Sequence, residues 1–323
     1  MSVKSSVLAI FEQNRGESIS GEYIAKALGI SRNSVWKTVK LLREEGYKID
    51  ASTKNGYILS VDNDIISVQS VLKYLNFPLD IVVLDKVNST NNYAKRLATE
   101  GKREGTVVIA RHQSDGKGRK GRNFYSPDQT GIYMSIILRP TLSAEKSVVI
   151  TTCAAVSVAK AIEKISGKET KIKWVNDIFL NDKKVSGILT EAALQIETSR
   201  LQYVILGIGV NVLEPSSGFP QEISEIAGAV FNEETAVLDV KSKLAAEILN
   251  NFFEIYKNIL SPDILEEYKK RSLIMGKEIL VVKEEEAIEA TALEITDNYG
   301  LKVKYPDGRC EELISGEVSI RKI

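Results

Sequence analysis

Gly116-Lys117-Gly118-Arg119-Lys120-Gly121-Arg122 is the stretch of this 323-residue sequence from which its fold and function can be worked out. It holds four cationic side chains and three glycines within seven residues. Because glycine has no side chain to block an approaching group, such a loop can direct backbone N–H groups and cations at one anion. The composition favours phosphate as the ligand. The alternative is a solvated basic loop that proteases can reach.

The same letters satisfy the glycine spacing of the dinucleotide-binding fingerprint, G-x-G-x-x-G, but their surroundings exclude that motif. The fingerprint needs a strand leading straight into the glycines and a helix starting on them. Here five residues separate the strand-like run Val107–Ala110 from the loop, and residues 123–128 after it are typical of a turn. The Walker pattern fails as well, because Arg122 and Asn123 follow Gly121 where that pattern requires Lys and Ser or Thr.

The composition is that of an ordinary globular chain without overall charge. Hydrophobic residues make up 43% and charged residues 27% of the sequence, and 43 lysines and arginines balance 43 aspartates and glutamates. A chain of this length accommodates about two or three domains. Residues 1–60 carry nine basic against six acidic side chains, whereas residues 271–323 carry eight against eleven. The slightly basic N-terminal end is compatible with a nucleic-acid partner but does not establish one.

The cysteines and the apolar runs favour a cytoplasmic location. Cys153 and Cys310 lie far apart in the sequence, so they suggest neither a disulfide framework nor a zinc cluster. No long apolar run follows a basic start at the N-terminus, so we expect no secretory signal. No apolar stretch reaches the roughly 18 residues of a membrane span. A reducing cytoplasm is therefore the expected location. We also expect the protein to have no permanently bound metal ion.

The N-terminal segment reads as a helix-turn-helix. Apolar residues within 7–11 have the spacing of a first amphipathic helix. Ser20 is the expected N-cap of a second helix, Gly21–Leu28, which Gly29 ends. Ser31 caps a third and longer helix. A Gly-containing turn between the last two helices is the helix-turn-helix signature.

A short hairpin follows these helices. Strand-like Tyr47–Asp50 and Tyr57–Leu59 flank Lys54-Asn55-Gly56, and Asn-Gly favours a tight turn between strands. The hairpin would be the wing of a winged helix-turn-helix. Residues 61–64 then read as a linker to the rest of the chain.

The third helix of this unit is the one expected to read DNA. In a helix-turn-helix the N-terminal residues of the second of the paired helices reach base edges. Here they are Ser31, Arg32, Asn33, Ser34 and Lys37. Trp36 faces either the DNA or the core, and we expect the core. Small three-helix folds also serve as dimerisation modules, which is the alternative to DNA binding.

The middle of the chain predicts an α+β domain. Strands between Lys171 and Ile208 arrive in adjacent, hairpin-like pairs, and long helices are expected over Ala144–Ile165 and Val240–Ile259. Ser261-Pro262 begins a last helix, with Ser at the N-cap and Pro at N1. This pattern favours a mixed, largely antiparallel sheet with helices over a Rossmann fold.

The C-terminal segment changes to period-two patterning. Apolar residues alternate from Ile279 to Ile320, with turns at Asp297–Gly300 and Pro306–Gly308. This pattern predicts a small all-β barrel. The three expected domains are residues 1–62, 63–270 and 271–323.

Three further motifs accompany the basic loop. Ser89-Thr90-Asn91 offers hydroxyl and amide groups at a helix start, where they can bind a small polar ligand or simply cap the helix. Lys173–Asp177 with Lys184 downstream can order a nucleotide and a carboxylate together, or be a turn with surface charge. Gly207–Asn211 places glycines in a strand, where a ligand or backbone can approach closely.

Taken together and in this order, the motifs resemble those of biotin–protein ligases. They are Ser89-Thr90-Asn91, Gln113 ahead of the Gly/Lys/Arg loop, Lys173-Trp174-Val175-Asn176-Asp177, Lys184 with Gly187, and Gly207-Ile208-Gly209-Val210-Asn211. With a winged helix before and a small β-barrel after, the whole chain is similar to the bacterial bifunctional form, the biotin operon repressor. Each motif is weak alone, but their order is specific.

The resemblance implies an activity, a fold and partners. The family makes biotinyl-5′-AMP from biotin and ATP with Mg²⁺ and transfers biotin to a lysine of a carrier protein. The central domain would be class II synthetase-like, of the biotin/lipoate ligase type, and the C-terminal barrel SH3-like. The implied partners are biotin carboxyl carrier protein, operator DNA and a second copy of the chain, because the adenylate-loaded family members dimerise.

The resemblance also assigns roles to individual residues. The biotin-binding residues would be Ser89, Thr90, Asn91, Gln113, Lys117, Gly118, Arg119 and Lys184. The nucleotide-binding residues would be Lys173, Asn176 and Asn211. Arg119 and Lys184 would be catalytic, and Asp177 would orient the incoming acceptor lysine.

The chemistry agrees with these roles. A carboxylate that attacks an α-phosphate brings like charges together, and positioned cations with Mg²⁺ offset the repulsion. No enzyme nucleophile is required. His112 and Cys153 are expected to be structural.

Four positions depart from the family pattern. The usual Gly-Arg-Gly-Arg-Arg-Gly is Gly-Lys-Gly-Arg-Lys-Gly here, which keeps the charge but replaces two planar forks by point charges. Phe124 stands where tryptophan is common and can still cover an apolar face. Val175 replaces a customary proline. Arg119 is present, so the activity is expected to be retained.

Two rival functions remain at this point. Lipoate ligases resemble the same catalytic domain, although they generally lack the winged helix. A transcription factor that only senses biotin would not need Arg119, Lys184 and Asn176-Asp177. We further expect the glycine-rich, like-charged loop to be mobile when empty and, once ordered by ligand, to favour a dimer surface near it.

Overall fold

The computed structural model describes residues 2–52, 56–143, 147–194, 201–232, 238–283, 286–314 and 317–320. The N-terminal part is the predicted winged helix-turn-helix. Ser20 and Ser31 cap the second and third helices by accepting backbone N–H bonds, and Gly29 ends the second in the left-handed region. The elements are α1 (Val3–Gln13), α2 (Gly21–Leu28), α3 (Arg32–Glu44), β1 (Ile49–Ser52) and β2 (Gly56–Leu59). Strands β1 and β2 pair antiparallel, and the predicted turn residues 54 and 55 lie outside the described residues.

The prediction that Trp36 packs in the core is wrong. Its side chain is 54% exposed. The inward face of α3 is taken by Val35, Val39 and Leu42, which are almost fully buried. Because successive helical residues point about 100° apart, the neighbour of Val35 turns away from the core. Trp36 therefore lies on the outer surface of α3.

The central part is the predicted mixed sheet with helices. Its seven strands have the order β3-β4-β5-β9-β8-β7-β6, and within this order β3 and β4 pair parallel while the other neighbours pair antiparallel. The strands are β3 (Ile81–Val87), β4 (Val107–Gln113), β5 (Gly131–Leu138), β6 (Lys171–Lys173), β7 (Asp177–Leu180), β8 (Lys183–Leu194) and β9 (Leu201–Asn211).

Helices cover this sheet. They are α4 (Val68–Leu72), α5 (Thr90–Thr99), α6 (Val148–Ser166), α7 (Val240–Lys257) and α8 (Pro262–Lys270). The long helix α6 begins at Val148, after its N-cap Ser147, and residues 144–146 of the predicted start lie outside the described residues. α6 is buried along most of its length and packs with α7. Pro262 follows the N-cap Ser261 as predicted.

The C-terminal part is all-β, as predicted. Its five antiparallel strands have the order β13-β12-β11-β10-β14. They are β10 (Glu278–Lys283), β11 (Glu286–Ile295), β12 (Leu301–Lys304), β13 (Cys310–Leu313) and β14 (Glu317–Ile320). Their apolar side chains, such as Ile279 and Val303, belong to the same core as the central sheet. The C-terminal strands are thus packed against the central part.

Buried charges join the winged helix to the central part. The Arg15 guanidinium lies 2.6 Å from Glu12 and 3.4 Å from Asp239, and it donates to the carbonyl of Asn63 at 2.6 Å. Asp239 also accepts from the hydroxyl of Tyr74 at 2.9 Å. Because buried charges need partners, this cluster resists separation of the two parts. The predicted linker is therefore packed at Asn63, which is 1% exposed.

Candidate active site

The basic loop is a short closed turn between β4 and β5. The N–H of Gly118 donates to the carbonyl of Arg122, and that of Phe124 to Gly116, both at 2.7 Å. A Cβ on Gly116 would lie 2.4 Å from the Phe124 carbonyl oxygen, so this closure requires glycine there. A single 3₁₀ turn, Arg119–Gly121, forms the tip, and extended backbone follows it. The loop therefore lacks the helix of the dinucleotide fingerprint, as the sequence indicated.

The loop covers a cavity of about 550 Å³ that opens over strands β8 and β9. The lining brings together every residue predicted to bind biotin or nucleotide or to act in catalysis. These are Ser89, Thr90, Asn91, Gln113, Lys117, Gly118, Arg119, Lys173, Asn176, Asp177, Lys184 and Asn211. Residues as far apart in the sequence as Ser89 and Asn211 thus line the same cavity. The role of each residue stays a prediction.

One end of the cavity, which we call the amide end, is lined by Thr90, Asn91 and Gln113, with Ser135 directly behind them. The amide oxygen of Gln113 accepts from the backbone N–H of Thr90 at 2.8 Å and from its hydroxyl at 3.0 Å. The hydroxyl of Ser135 lies 2.6 Å from Asn91 Oδ1 and 2.8 Å from Thr90 Oγ1. The side-chain amide of Gln113 donates to Ser126 at 2.9 Å. The polar atoms at this end are held by one another before any ligand binds.

Sequence reasoning missed two residues that lie behind this end and contact it. Ser135 is a fully buried hydroxyl in the otherwise apolar strand β5, and such a group needs a hydrogen-bond partner, which was an available signal. Glu191 on β8 accepts from Asn91 Nδ2 at 2.7 Å and lies 2.5 Å from Lys95 Nζ. Its position in the sequence gave no indication of this contact.

The other end, which we call the charged end, consists of Arg119, Asn176, Asp177 and Lys184. Lys184 Nζ lies 2.7 Å from Asp177 Oδ1. Arg119 Nη1 donates to Asn176 Oδ1 at 2.9 Å. Asn176 Nδ2 in turn donates to Asp177 at 3.0 Å and to the carbonyl of Ile188 at 2.9 Å. Two cations from separate elements therefore converge on one Asn-Asp pair.

Aromatic and amide side chains complete the walls. The ring of Phe124 lies against β9, where a Cβ on Gly209 would come within 2.6 Å of it. Asn211 donates to the carbonyl of Gly228 at 3.0 Å, and Lys173 lies over the ring of Phe179 at 6.0 Å. Glycine at 209 thus makes room for the aromatic side chain that the basic loop carries over the sheet.

The sole histidine and the helical cysteine lie outside this lining, as expected. Burial raises the pKa of the Cys153 thiol to about 12, so the group is unreactive at neutral pH. Nδ1 of His112 is buried and without a hydrogen-bond partner among the described residues. Among the described residues, no three His, Cys, Asp or Glu side chains come together in a way that could hold a metal ion.

No described helix has the length and apolar character needed to cross a membrane.

The predicted DNA-reading residues form one exposed end of the winged helix. Ser31 Oγ accepts from the N–H of Ser34 at 3.1 Å, and Arg32, Asn33 and Lys37 are exposed. Trp36 stands beside them on the same surface. This is the geometry that a recognition helix requires, because its N-terminal turn is free to enter a groove.

Comparison with known proteins agrees with both parts. Residues 83–211 match the biotin/lipoate A/B protein ligase family, and residues 4–58 match an HTH domain. The structure resembles that of biotin protein ligase from Aquifex aeolicus in complex with biotin and ATP, with a TM-score of 0.62 and 26% identity over 76% of this chain and 99% of that one. The fold and the cavity thus define a protein ligase of the biotin/lipoate class.

Curated relatives narrow this class. The bifunctional ligase/repressor BirA of Bacillus spizizenii is 37% identical over 262 residues, 80% of each chain. The protein of the same name from Escherichia coli is 25% identical over 95% of this chain and 94% of its own. The chain belongs to the family of bifunctional ligase/repressors.

Proposed function

We propose that the protein activates biotin with ATP to biotinyl-5′-AMP and then transfers biotin to a lysine of an acceptor protein. The observation that carries this proposal is that one cavity has uncharged, internally bonded amides at one end and converging cations at the other. In the first step a biotin carboxylate oxygen attacks the α-phosphorus and pyrophosphate leaves. In the second the lysine amine attacks the activated carbonyl and AMP leaves.

The charged end suits the first step. The carboxylate and the phosphate are both anionic, and Lys184 and Arg119 offer positive charge where they meet. Mg²⁺ would arrive on the phosphates of ATP, because the described lining holds only Asp177 and Glu222 as carboxylates. The ion, when bound, neutralises phosphate charge. The site therefore fits Mg²⁺ as a companion of the nucleotide.

Asp177 suits the second step. Its carboxylate pairs with Lys184 across 2.7 Å, which shows that it accepts an ammonium group in this position. We infer that it orients the acceptor lysine in the same manner. Biotin carboxyl carrier protein is the acceptor that we propose.

The decisive test is incubation with ATP, biotin and a carrier domain, followed by measurement of the carrier's mass. We expect the mass of the carrier domain to rise by that of one biotinyl group. The Arg119→Met variant should lose most of this biotinylation activity. The rival functions are distinguished by measuring pyrophosphate release from ATP in three samples, one with biotin alone, one with lipoate alone and one with neither. Release with lipoate only would identify a lipoate ligase, and no release in any case would identify a biotin sensor.

A second function is favoured by the exposed recognition helix. We propose that the protein also represses biotin genes by binding operator DNA as a homodimer. Arg32 and Lys37 would contact DNA, so Lys37→Ala should weaken operator binding without affecting biotinylation. Unchanged operator affinity in the presence of biotinyl-5′-AMP would contradict control by the ligand.

The basic loop would link the two functions. We propose that it is mobile when empty, and that the ligand orders it and thereby favours dimerisation near it. Proteolysis at Arg119–Arg122 should then slow when biotin and ATP are added, and equal rates would contradict this. A cytoplasmic location stays a prediction.

A further inference from the structure

Glu191 lies behind the amide end, outside the described lining of the cavity. Its Oε2 accepts from Asn91 Nδ2 at 2.7 Å, and its Oε1 lies 2.5 Å from Lys95 Nζ. The side chain is 25% exposed, so water screens it only in part. Lys95 balances the charge of Glu191, which leaves the other carboxylate oxygen directed at the amide of Asn91.

This contact fixes which way round the Asn91 amide lies. An ionised carboxylate can only accept hydrogen bonds, so Asn91 must present its NH₂ group to Glu191. Its Oδ1 is then turned to Ser135, whose hydroxyl lies 2.6 Å away. A flipped amide would place oxygen against the carboxylate and NH₂ against the hydroxyl. Glu191 therefore removes an ambiguity that an asparagine side chain otherwise has.

Further polar contacts connect the oriented Asn91 amide to the rest of the amide end. Ser135 also lies 2.8 Å from Thr90 Oγ1, and Thr90 donates twice to Gln113 Oε1. Gln113 then donates to Ser126, whose hydroxyl donates to the carbonyl of Phe124 at 2.9 Å. A network of close polar contacts thus runs from Glu191 to the basic loop, with the single hydroxyl proton of Ser135 shared between Asn91 Oδ1 and Thr90 Oγ1.

We propose that Glu191 is a positioning residue for the biotin head group. It does not touch the ligand but determines which atoms of Asn91 face it. The head group is an uncharged cyclic urea, so its affinity depends on meeting donors with acceptors rather than on charge. The inference rests on the proposed function, because it supposes that the amide end receives biotin.

The test is Glu191→Gln, studied by calorimetry with biotin alone and by steady-state kinetics. The new side chain keeps the size of the old one but loses the charge, and with its oxygen on Lys95 it turns its NH₂ group to Asn91, which favours the flipped amide. We expect the biotin Kd and KM to rise about tenfold or more, the loss expected for a charged hydrogen bond. The KM for ATP should stay within about twofold and the melting temperature close to that of the unchanged protein.

Glu247→Gln is the matched control. Glu247 pairs with Lys164 across 2.9 Å and its side chain is 15% exposed, but it lies on α7, away from the cavity. Its substitution should leave the biotin KM unchanged. Two results would overturn the inference: a rise in the KM values for both biotin and ATP in Glu191→Gln, or a rise in biotin KM equal to that of the control. Either result would mean that Glu191 only forms a structural ion pair.

Lys95 provides an independent test. Lys95→Met removes the nearer of two cations that favour the charged form of Glu191 and leaves only Lys117 of the basic loop, so biotin affinity should fall as the pH is lowered from 8 towards 5. Lys95→Arg should restore a flat profile, and a flat profile in Lys95→Met would contradict the inference. Absence of pyrophosphate release by the unchanged protein would overturn the proposed function instead, since biotin binding is measured without turnover.

Discussion

The two ends of the cavity hold their polar side chains in different ways. At the amide end Thr90 and Asn91 are each 4% exposed and are bonded within the protein. At the charged end the side chains of Lys184 and Asp177 are 31% and 20% exposed, and Arg119 stands on a glycine-rich loop. The difference indicates that the amide end offers fixed donors and acceptors suited to an uncharged group, whereas the charged end offers cations on more exposed side chains.

The largest effect should come from the charged end. Lys184→Met removes an ammonium group from the place where, in the proposed function, carboxylate and phosphate meet. We expect kcat/KM for adenylate formation to fall by about 10²–10³, as when a preorganised donor is removed elsewhere. Pyrophosphate release measures this.

The adjacent lysine serves as control. Lys183 Nζ donates to the carbonyls of Ser224 and Glu225 and lies outside the described lining of the cavity. Lys183→Met should therefore keep nearly full activity. An equal loss in the two variants would show that the strand, not the ammonium of Lys184, had been damaged.

A pair of glycine substitutions tests rigidity at the two ends. In Gly207→Ala the new methyl group would lie 2.3 Å from Asn91 Oδ1, which Glu191 and Ser135 prevent from yielding. We expect biotin affinity to fall because the methyl group displaces Asn91. The accompanying loss of folding stability should be about 1–3 kcal/mol, the range for overpacking.

In Gly187→Ala the new group would meet both the end of the flexible Lys184 side chain and the ring of Phe124 at 3.3 Å. Both contacts are much looser than the 2.3 Å contact at Gly207, so the loss should be several-fold smaller. Calorimetry with biotin measures both. Equal losses would mean that the amide end is as adjustable as the charged end.

A smaller effect is expected for Ser135→Ala. The variant leaves Asn91 Oδ1 buried without its donor, which should cost about 1–2 kcal/mol in biotin affinity. Ser157→Ala is the control, because Ser157 is as fully buried but donates only to the carbonyl of Cys153 within α6. If both variants bind biotin alike, the Ser135 hydroxyl does not hold Asn91.

The smallest effect concerns pH. Partial burial alone would raise the pKa of Glu191, but hydrogen bonds from Lys95 and Asn91 and the charges of Lys95 and Lys117 outweigh it, so the pKa lies below its ordinary 4.5. The carboxylate and its stabilising bonds are fully present above that ordinary value and are lost only as the pH falls through the lowered one. Biotin affinity, measured by calorimetry, should thus stay constant from pH 8 to about pH 6. A change of more than about twofold would contradict an ionised Glu191.

Local signals made much of the fold predictable. N-caps such as Ser20, Ser31 and Ser89 stand next to the helices that they begin, and the strand patterns lie within single elements. The residues of the cavity were found because their motifs are short and ordered. The division at residues 62 and 270 stays a prediction.

Long-range contacts were not predictable in the same way. Glu191 meets Asn91 across one hundred residues and Ser135 meets it across forty-four, and only the register of β5, β9 and β8 brings them together. Trp36 differs from its predicted core position for another reason. Its hydrophobicity favours the core, but the spacing of Val35 and Val39 along α3 turns it outward.

The exposed Trp36 has a practical consequence, because the chain contains only one other tryptophan. Trp174 is 3% exposed at the cavity wall, and its indole N–H donates to the carbonyl of Tyr299 at 3.0 Å. A hydrated indole fluoresces at longer wavelength than an enclosed one and is reached by aqueous quenchers such as acrylamide. Occupancy of the recognition helix and of the cavity can therefore be followed by optical spectroscopy in a single unlabelled sample, each through its own chromophore.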